Sequence, residues 1–325
     1  MGYDSKALHA ALVRYEERKQ RREEDFLRRE NEILQREPRL LEIKRELAGT
    51  VTEIMTKALR TGADTEKALE EIKRKNLALQ EERALRLGLL GYRGDELVYE
   101  PACPFCHDTG YTDKGMCRCL KKLYQEEQRK SLSRLLDIEG QSFDSFSLDK
   151  YSTEKPWDGK SPYECAEEAL DTCSYFARRF GTRYQNLLLF GATGTGKTHL
   201  SAAIARVVSD KGYSVVYDTA SHIFAGFEQE KFNRDEEEDR RNNEAVMKAD
   251  LLIIDDLGTE MATEFVKATL YAIINTRLVE KRCTIINTNL LSSELEKRYG
   301  AATASRLLGE YKGLPFLGDD LRRKK

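Results

Sequence analysis

The sequence lacks any apolar run approaching the roughly 20 residues that a helix needs to cross a membrane. It also begins without the basic and then apolar segments that mark a secretory signal. We therefore expect no membrane-spanning segment, and a cytoplasmic location follows by default. The net charge of −2 provides no overall positive field, so any contact with DNA must come from local basic patches.

Cysteine is scarce, with seven residues in 325, and a cytoplasmic protein rarely uses them for disulfides. Four of them form two close pairs, Cys103 with Cys106 and Cys117 with Cys119, separated by ten residues. Two thiolate pairs on either side of a turn suit a tetrahedral Zn²⁺ site. His107, beside the first pair, is a possible replacement ligand. The alternatives are a redox CxxC site and four unrelated buried thiols.

A glycine-rich stretch, GATGTGKT from Gly191 to Thr198, lies between an apolar run and the start of a helical pattern. It matches the P-loop pattern G-x-x-x-x-G-K-[ST], in which backbone amides surround a phosphate. We predict that Lys197 reaches the β- and γ-phosphates and that the Thr198 hydroxyl holds Mg²⁺.

Two later apolar strands end in polar residues. The first is followed by Asp255 and Asp256, and the second ends at Thr288 and Asn289. In P-loop NTPases the first acid completes the Mg²⁺ shell and the next orients the attacking water. Parallel strands present their carboxyl ends to one crevice, so Asn289 or Thr288 is predicted to reach the γ-phosphate or the water. Glu260 is a second candidate for the base. The predicted nucleotide-binding residues are thus Gly191, Thr193, Gly194, Thr195, Gly196, Lys197, Thr198 and Asp255.

The first hundred residues are dense in charge, with apolar positions three or four apart that are typical of amphipathic helices. Breaks at Pro38 and Gly62 predict three helices, and Leu40, Leu77 and Leu79 are among the positions expected to face inward. The region carries no catalytic signal. It is either a coiled-coil scaffold or an arm that docks a partner.

The order of P-loop, Asp-Asp strand, Thr-Asn strand and then Ser-Arg-Leu at 305–307 resembles that of AAA+ ATPases. Three further features narrow the resemblance to the DnaC/DnaI-type bacterial helicase loaders. They are the cysteine segment with Asp-Thr-Gly at 108–110, the IIDDLG run at 253–258, and the ending FLGDDLR at 316–322. The resemblance covers nearly the whole chain, although the helical region matches in character more than in motif.

The resemblance implies an α/β fold, with a three-layer AAA+ P-loop NTPase domain built on a parallel sheet. An all-α helical region and a small zinc knuckle precede that domain. The predicted division is a helical partner-docking region at 1–100, the zinc knuckle at 101–125, a linker at 126–160 and the AAA+ ATPase domain at 161–325.

The resemblance also implies residue roles. Lys197 and Thr198 carry over as Walker A, Asp255 and Asp256 as Walker B, Asn289 as sensor 1 and Arg306 as the arginine finger for a neighbouring subunit. Family members often show Glu-Arg-Ile before Ser-Arg-Leu, whereas Ala-Ala-Thr stands here at 301–303. One expected arginine is therefore missing, which leaves open whether the protein hydrolyses ATP efficiently or mainly binds it as an assembly switch.

The implied function is that of an ATP-dependent loader that binds a DnaB-type replicative helicase and helps to place it on single-stranded DNA. The implied cofactors are ATP, Mg²⁺ and Zn²⁺, and the ATPase domains are expected to self-associate. Phe224, Phe227, Lys231 and Phe232 are candidate DNA contacts, because they combine aromatic rings with a basic residue. The alternatives are an IstB-type transposition helper, a P-loop phosphotransferase for a small substrate, and a zinc adaptor with an inactive nucleotide fold.

Overall fold

The computed structural model describes residues 3–58, 64–135, 140–155, 159–232 and 237–323. They pack into two units, one formed by residues 14–117 and the other by residues 118–325 together with residues 1–13. In the described parts of the chain, no helix is both long and apolar enough to cross a membrane.

The unit of residues 14–117 is mainly helical. Pro38 separates the first two helices, as expected, because its missing N–H and fixed φ suit the first position of a new helix. Ile33, Leu40 and Leu87 are at most 1% exposed and form an apolar cluster between the helices. The elements are α1 (Ser5–Arg36, which begins in the other unit), α2 (Pro38–Ala58), α3 (Asp64–Leu89), and the paired strands β1 (Tyr111–Thr112) and β2 (Gly115–Met116).

The inward prediction for α3 is correct in part. Ile72 and Leu79 are buried, but the Leu77 side chain is 58% exposed, so that prediction is wrong. Leu85 and Leu89 are 66% and 81% exposed. Since residues four apart lie on the same side of a helix, Leu85 and Leu89 give α3 an apolar ridge on its exposed side.

The larger unit contains a five-stranded parallel sheet in the order β4-β5-β6-β3-β7. The first strand of this sheet along the chain is β3 (Asn186–Gly191). It is preceded by α4 (Arg118–Leu135) and α5 (Pro162–Arg179) and followed by α6 (Lys197–Asp210). The remaining elements are β4 (Val215–Thr219), α7 (Ala220–Phe232), α8 (Glu237–Lys248), β5 (Leu251–Leu257), α9 (Glu264–Val279), β6 (Cys283–Thr288), α10 (Ser292–Tyr299), α11 (Ala301–Glu310) and β7 (Tyr311–Phe316).

Alternate strand residues enter two different apolar cores. Leu251 and Ile253 join one cluster, whereas Leu252 and Ile254 join the other. Side chains of a strand point to opposite faces of the sheet, so both faces are covered. This arrangement of helices, sheet and helices confirms the predicted three-layer α/β fold.

One edge of the sheet is capped by a side chain. Gln128, from α4, is 1% exposed and accepts a hydrogen bond from the Val215 amide of β4 at 3.3 Å. Its own amide group donates to Ser209 Oγ at 2.8 Å and to the Tyr213 carbonyl oxygen at 3.1 Å. The position of β4 is therefore set by β5 on one side and by α4 on the other.

Candidate nucleotide and metal sites

The P-loop connects the end of β3 to the start of α6. Gly194 and Gly196 have φ angles of +73° and +96°, which residues with a Cβ rarely adopt. A Cβ on Gly194 would lie 1.8 Å from Asp320 Oδ1, and one on Gly196 would lie 2.6 Å from the Tyr151 hydroxyl oxygen. Both positions therefore require glycine, because the backbone has a positive φ angle and because neighbouring side chains leave no room for a Cβ.

Lys197 points back along this loop. Its Nζ donates to the carbonyl oxygens of Gly191 at 2.7 Å and Ala192 at 2.6 Å, and to Asn289 Oδ1 at 2.9 Å. Burial lowers the pKa of Lys197 to about 8, and the nearby carboxylates of Asp256 and Asp255 partly oppose that change. An ammonium in this position suits the β- and γ-phosphates of a nucleotide held by the loop.

Asp255 is 4% exposed and accepts hydrogen bonds from four donors. Its Oδ1 accepts from Asn287 Nδ2 at 2.8 Å and from the Asp256 amide at 3.0 Å. Its Oδ2 accepts from Thr198 Oγ1 at 3.1 Å and from the Tyr217 hydroxyl. A hydroxyl beside a carboxylate provides the hard oxygen ligands that Mg²⁺ prefers, so these residues fit the ion.

Asp256 directs its carboxyl into the pocket from a φ angle of +52°. Partial burial and the neighbouring Asp255 charge raise the pKa of this carboxyl. Glu260, the second candidate base, lies elsewhere. Its Oε2 accepts from the Gly258 amide at 3.0 Å and its Oε1 accepts from the Tyr299 hydroxyl, and Glu260 is absent from the described residues that line the pocket. Asp256 is therefore the better placed of the two acids.

Thr288 and Asn289, at the end of β6, make different contacts. Thr288 is fully buried, and its hydroxyl donates to the Leu257 carbonyl oxygen at 2.6 Å. This hydrogen bond joins the ends of β6 and β5. Asn289 lines the pocket and contacts Lys197. Of these two candidate residues, only Asn289 lines the cavity.

These groups surround a cavity of about 800 Å³, a volume in the range of small-molecule sites. Part of its wall comes from the segment before α5. The Tyr151 hydroxyl donates to the Thr195 carbonyl oxygen at 2.8 Å, and the Phe146 ring lies 5.3 Å from the His199 ring, edge to face. Phe146, Tyr151 and His199 all line the cavity, so the predicted linker helps to form the site.

Two arginines occupy different positions relative to the cavity. Arg322 lines it and forms an ion pair with Asp320 at 3.0 Å. Arg306 is on α11 and is missing from the lining residues that the structure describes. Its Nε donates to Asn275 Oδ1 at 3.1 Å, and its guanidinium lies 4.6 Å from the centre of the Tyr271 ring. Arg306 is thus held in a fixed orientation without serving the cavity of its own chain.

The four predicted cysteine ligands cluster. The Sγ atoms of Cys103, Cys106, Cys117 and Cys119 all lie within 4.8 Å of one another, whereas His107 is not part of this group. Cys103 Sγ and Cys117 Sγ are 3.7 Å apart. Zn–S bonds of about 2.3 Å in a tetrahedron place sulfurs about 3.8 Å apart, so the cluster fits a zinc knuckle.

Asp108 shapes the first half of this cysteine segment. It has a φ angle of +56° and is 5% exposed. Its carboxylate accepts from the backbone amides of Ala102 at 2.9 Å and Cys103 at 3.0 Å, and from Arg22 at 3.3 Å. The acid therefore fixes the turn that brings Cys103 and Cys106 together.

The predicted DNA contacts do not form a surface. Phe224 is 3% exposed and belongs to the core on one face of the sheet, so the prediction for this residue is wrong. Phe227 packs against the same core. Lys231 Nζ lies 5.0 Å from the centre of the Phe265 ring, and the Phe232 side chain lies outside the described part of the structure.

Comparisons with known proteins agree with this geometry. Residues 167–324 match the family model of the IstB-like ATP binding protein. The replicative helicase loader DnaC of Escherichia coli strain K12 is 28% identical over 157 residues, which cover 48% of this chain and 64% of that protein. The chromosomal replication initiator protein DnaA of Aquifex aeolicus strain VF5 is 28% identical over 152 residues, which cover 46% of this chain and 34% of that protein.

Among solved structures, the crystal structure of the DnaC helicase loader is 24% identical, with a TM-score of 0.44, and the match covers 54% of this chain and 98% of that one. Over about half of its length, the chain is thus similar to an ATP-binding family and to DnaC-type helicase loaders. The sequence similarity to DnaC confirms the resemblance inferred from the motifs. The similarity to an ATP-binding family supports ATPase activity in general. The chain spans slightly less than two thirds of the length of the E. coli DnaC protein that it matches.

Three hydrogen bonds near the cavity were not predicted from the sequence. Tyr217 and Asn287 each donate to the Asp255 carboxylate. Ser201 Oγ donates to Asn287 Oδ1 at 2.9 Å. The position of Asn287 could have been inferred from the sequence, because it lies on β6 two residues before Asn289 and alternate residues of a strand share one face. No sequence pattern indicates the contact of Tyr217, because it depends on the pairing of β4 with β5.

Asp256 is the candidate catalytic acid, and its carboxyl faces the cavity. Replacing Asp256→Asn should leave ATP binding within about twofold while lowering the hydrolysis rate roughly 10²-fold or more, because a carboxylate that orients or deprotonates water is lost. Asparagine tolerates the positive φ angle, so the backbone should be kept. The measurement is phosphate release at saturating ATP.

Asp218→Asn is the matched control for this variant. Asp218 also lines the cavity at a strand end, but its carboxylate pairs with His222 at 2.5 Å. Equal losses of hydrolysis in both variants would contradict a specific role for Asp256.

Proposed function

We propose that this protein is an ATP-dependent loader that binds a DnaB-type replicative helicase and helps to place it on single-stranded DNA. The observation that carries the proposal is that the P-loop, Asp255, Asp256 and Asn289 line one cavity in a part of the chain that is similar to DnaC. A loader also needs a partner-binding surface and a means of assembling its ATPase domains. The helical unit and Arg306 are our candidates for these two parts.

In the proposed ATP cycle, the chain's own residues bind and orient the nucleotide. The P-loop amides from Gly191 to Gly196 and the Lys197 ammonium hold the phosphates. Mg²⁺, held by Thr198 and Asp255, would supply charge neutralisation on the β- and γ-phosphates. Asp256 accepts a hydrogen bond from the attacking water, and Asn289 orients the γ-phosphate or that water.

Arg306 is proposed to complete the site of a neighbouring subunit. The support is its position, since the guanidinium is oriented by Asn275 and Tyr271 but does not line the cavity of its own chain. An arginine supplied by a neighbour stabilises charge on the transferring phosphoryl group. Hydrolysis would then be slow in the isolated chain and would depend on self-association.

The helical unit is proposed to dock the helicase. Its support is the apolar ridge of α3, where Leu85 and Leu89 are mostly exposed. Large apolar side chains exposed together mark interaction surfaces more often than the rest of a protein surface does. The predicted division of the chain at residues 100, 125 and 160 remains a prediction.

Zn²⁺ is proposed as the structural metal of the cysteine segment. The four thiolates would hold the ion, and it would cross-link a segment whose regular structure consists of the two-residue strands β1 and β2 and the first turn of α4. The role is structural because all four positions of the tetrahedron are taken by protein ligands.

The second candidate function is that of an IstB-type transposition helper. It is favoured by the family model that matches residues 167–324. The cysteine segment and the helical unit precede the matched residues, and they are features of the loader resemblance. A pull-down therefore separates the two functions, since a transposition helper should bind a transposase and no replicative helicase.

The docking role is tested by replacing Leu85 and Leu89 together with glutamate. We expect the double variant to bind a DnaB-type hexamer from the same host about tenfold more weakly or worse, because two charges would be placed in an apolar interface. The control is Val279→Glu, which alters a 76% exposed residue on α9 of the ATPase unit. Unchanged helicase binding by the double variant would exclude this ridge as the docking surface.

The shared site is tested by mixing variants. Arg306→Ala should keep ATP affinity and lose about 10³-fold in hydrolysis. Lys197→Met should lose ATP binding. Mixing the two should restore part of the activity, because an Arg306→Ala site can receive the arginine of a Lys197→Met neighbour. Lys297→Ala removes an exposed cation from α10 and should behave like the unmodified protein. Full activity of Arg306→Ala alone would favour a monomeric phosphotransferase.

Metal analysis tests the zinc proposal. The purified protein should contain about one zinc per chain, and Cys103→Ser with Cys117→Ser should reduce it below half an equivalent, because structural zinc is bound tightly at neutral pH. Cys165→Ala, which alters a buried thiol outside the cluster, should retain the metal. Less than half an equivalent in the unmodified protein, with all four thiols reduced, would contradict the proposal.

A further inference from the structure

Tyr217 contacts the metal-binding end of the cavity from a neighbouring strand. It is on β4, where Thr219 is paired in register with Asp255 of β5. The residue is 7% exposed, and its hydroxyl donates to Asp255 Oδ2. This oxygen also accepts the hydrogen bond of Thr198 at 3.1 Å. A phenol from β4 and a P-loop hydroxyl thus meet on one carboxylate oxygen.

The two oxygens of Asp255 have different donors, except that Thr198 contacts both. Oδ1 accepts from Asn287 of the next strand and from the Asp256 backbone amide, and it lies 3.5 Å from Thr198 Oγ1. Oδ2 has contacts with only two hydroxyl groups among the described residues. One of them, on Thr198, is the proposed Mg²⁺ ligand. Tyr217 is the donor to Oδ2 that has no ligand role of its own.

The geometry points to Tyr217 as a positioning residue for the Mg²⁺ site, acting through Asp255. Its hydroxyl fixes Oδ2 beside Thr198, so that the carboxylate and the Thr198 oxygen present a single arrangement to the ion. Hydrogen bonds to the groups that bind a metal commonly change metal affinity 10- to 100-fold when they are removed. Without Tyr217, Oδ2 would keep only the hydrogen bond of Thr198, whose hydroxyl oxygen is itself a proposed Mg²⁺ ligand.

The chain offers a matched comparison. Tyr299 is 3% exposed, and its hydroxyl donates to a carboxylate oxygen of Glu260. It therefore makes the same kind of phenol–carboxylate hydrogen bond in the same unit, but neither Tyr299 nor Glu260 lines the cavity. Tyr217→Phe and Tyr299→Phe each remove one oxygen atom and one such bond. Only the first should affect Mg²⁺.

The experiment measures binding of a fluorescent ATP analogue by the full chain, in EDTA and across a Mg²⁺ titration. For Tyr217→Phe we expect affinity in EDTA within twofold of the unmodified protein, and a Mg²⁺ concentration at half-effect that is about tenfold higher or more. Tyr299→Phe should match the unmodified protein in both measurements. Unchanged affinity in EDTA also shows that the P-loop is folded in the variant.

A double-mutant cycle identifies the residue through which Tyr217 acts. In an Asp255→Ala background, Tyr217→Phe should cause no further change in the Mg²⁺ requirement. The proposal is overturned if Tyr217→Phe alone leaves the Mg²⁺ requirement within twofold or lowers it, or if its effect persists without Asp255. The inference rests on the proposed ATP site and uses a binding readout, so the outcome of helicase-loading experiments does not decide it.

Discussion

The carboxylate of Asp255 is the point on which the ATP site depends. It is buried, and a buried charge is costly unless hydrogen bonds satisfy it. Four donors do so, from α6, from β4, from β6 and from the following backbone amide. Each hydrogen bond to a charged group contributes about 1.5–3 kcal/mol. Three strands and the P-loop helix are therefore held in one register by a single side chain, which is also the proposed metal ligand.

The neighbouring residue shows the opposite arrangement. Asp256 follows a fully satisfied acid, but its own backbone has a left-handed conformation that non-glycine residues adopt at a cost. The tight corner after the strand turns its carboxyl into the cavity, where burial raises its pKa. A fully hydrogen-bonded acid and a strained acid are thus adjacent in the chain, and the strained one, Asp256, is the residue that we propose to act on the attacking water.

Local patterns in the sequence were sufficient for the fold and for most of the candidate site. The P-loop, the Asp-Asp strand and the cysteine pairs are each contiguous, so residue spacing alone indicates their geometry. The roles assigned to their residues remain predictions. Contacts that join distant segments were missed, such as Tyr217 with Asp255 and Tyr151 with Thr195. The burial of individual helix residues was predicted wrongly where apolar residues occur on both the exposed and the buried side of a helix. Leu77 on α3 is exposed and Phe224 on α7 is buried, contrary to expectation.

The capping of β4 by Gln128 has a consequence for solubility. An edge strand with unpaired backbone groups is a template for another strand, and natural sheets protect such edges. Here the protection comes from α4, which starts at Arg118, inside the cysteine segment, and ends at Leu135, well before the P-loop begins at Gly191. The first residues of the chain add to it, because the Asp4 amide donates to the hydroxyl of Tyr124, which in turn donates to Gln128. A truncated chain beginning at residue 140 would keep every nucleotide-binding motif and still expose a sheet edge through which copies could aggregate.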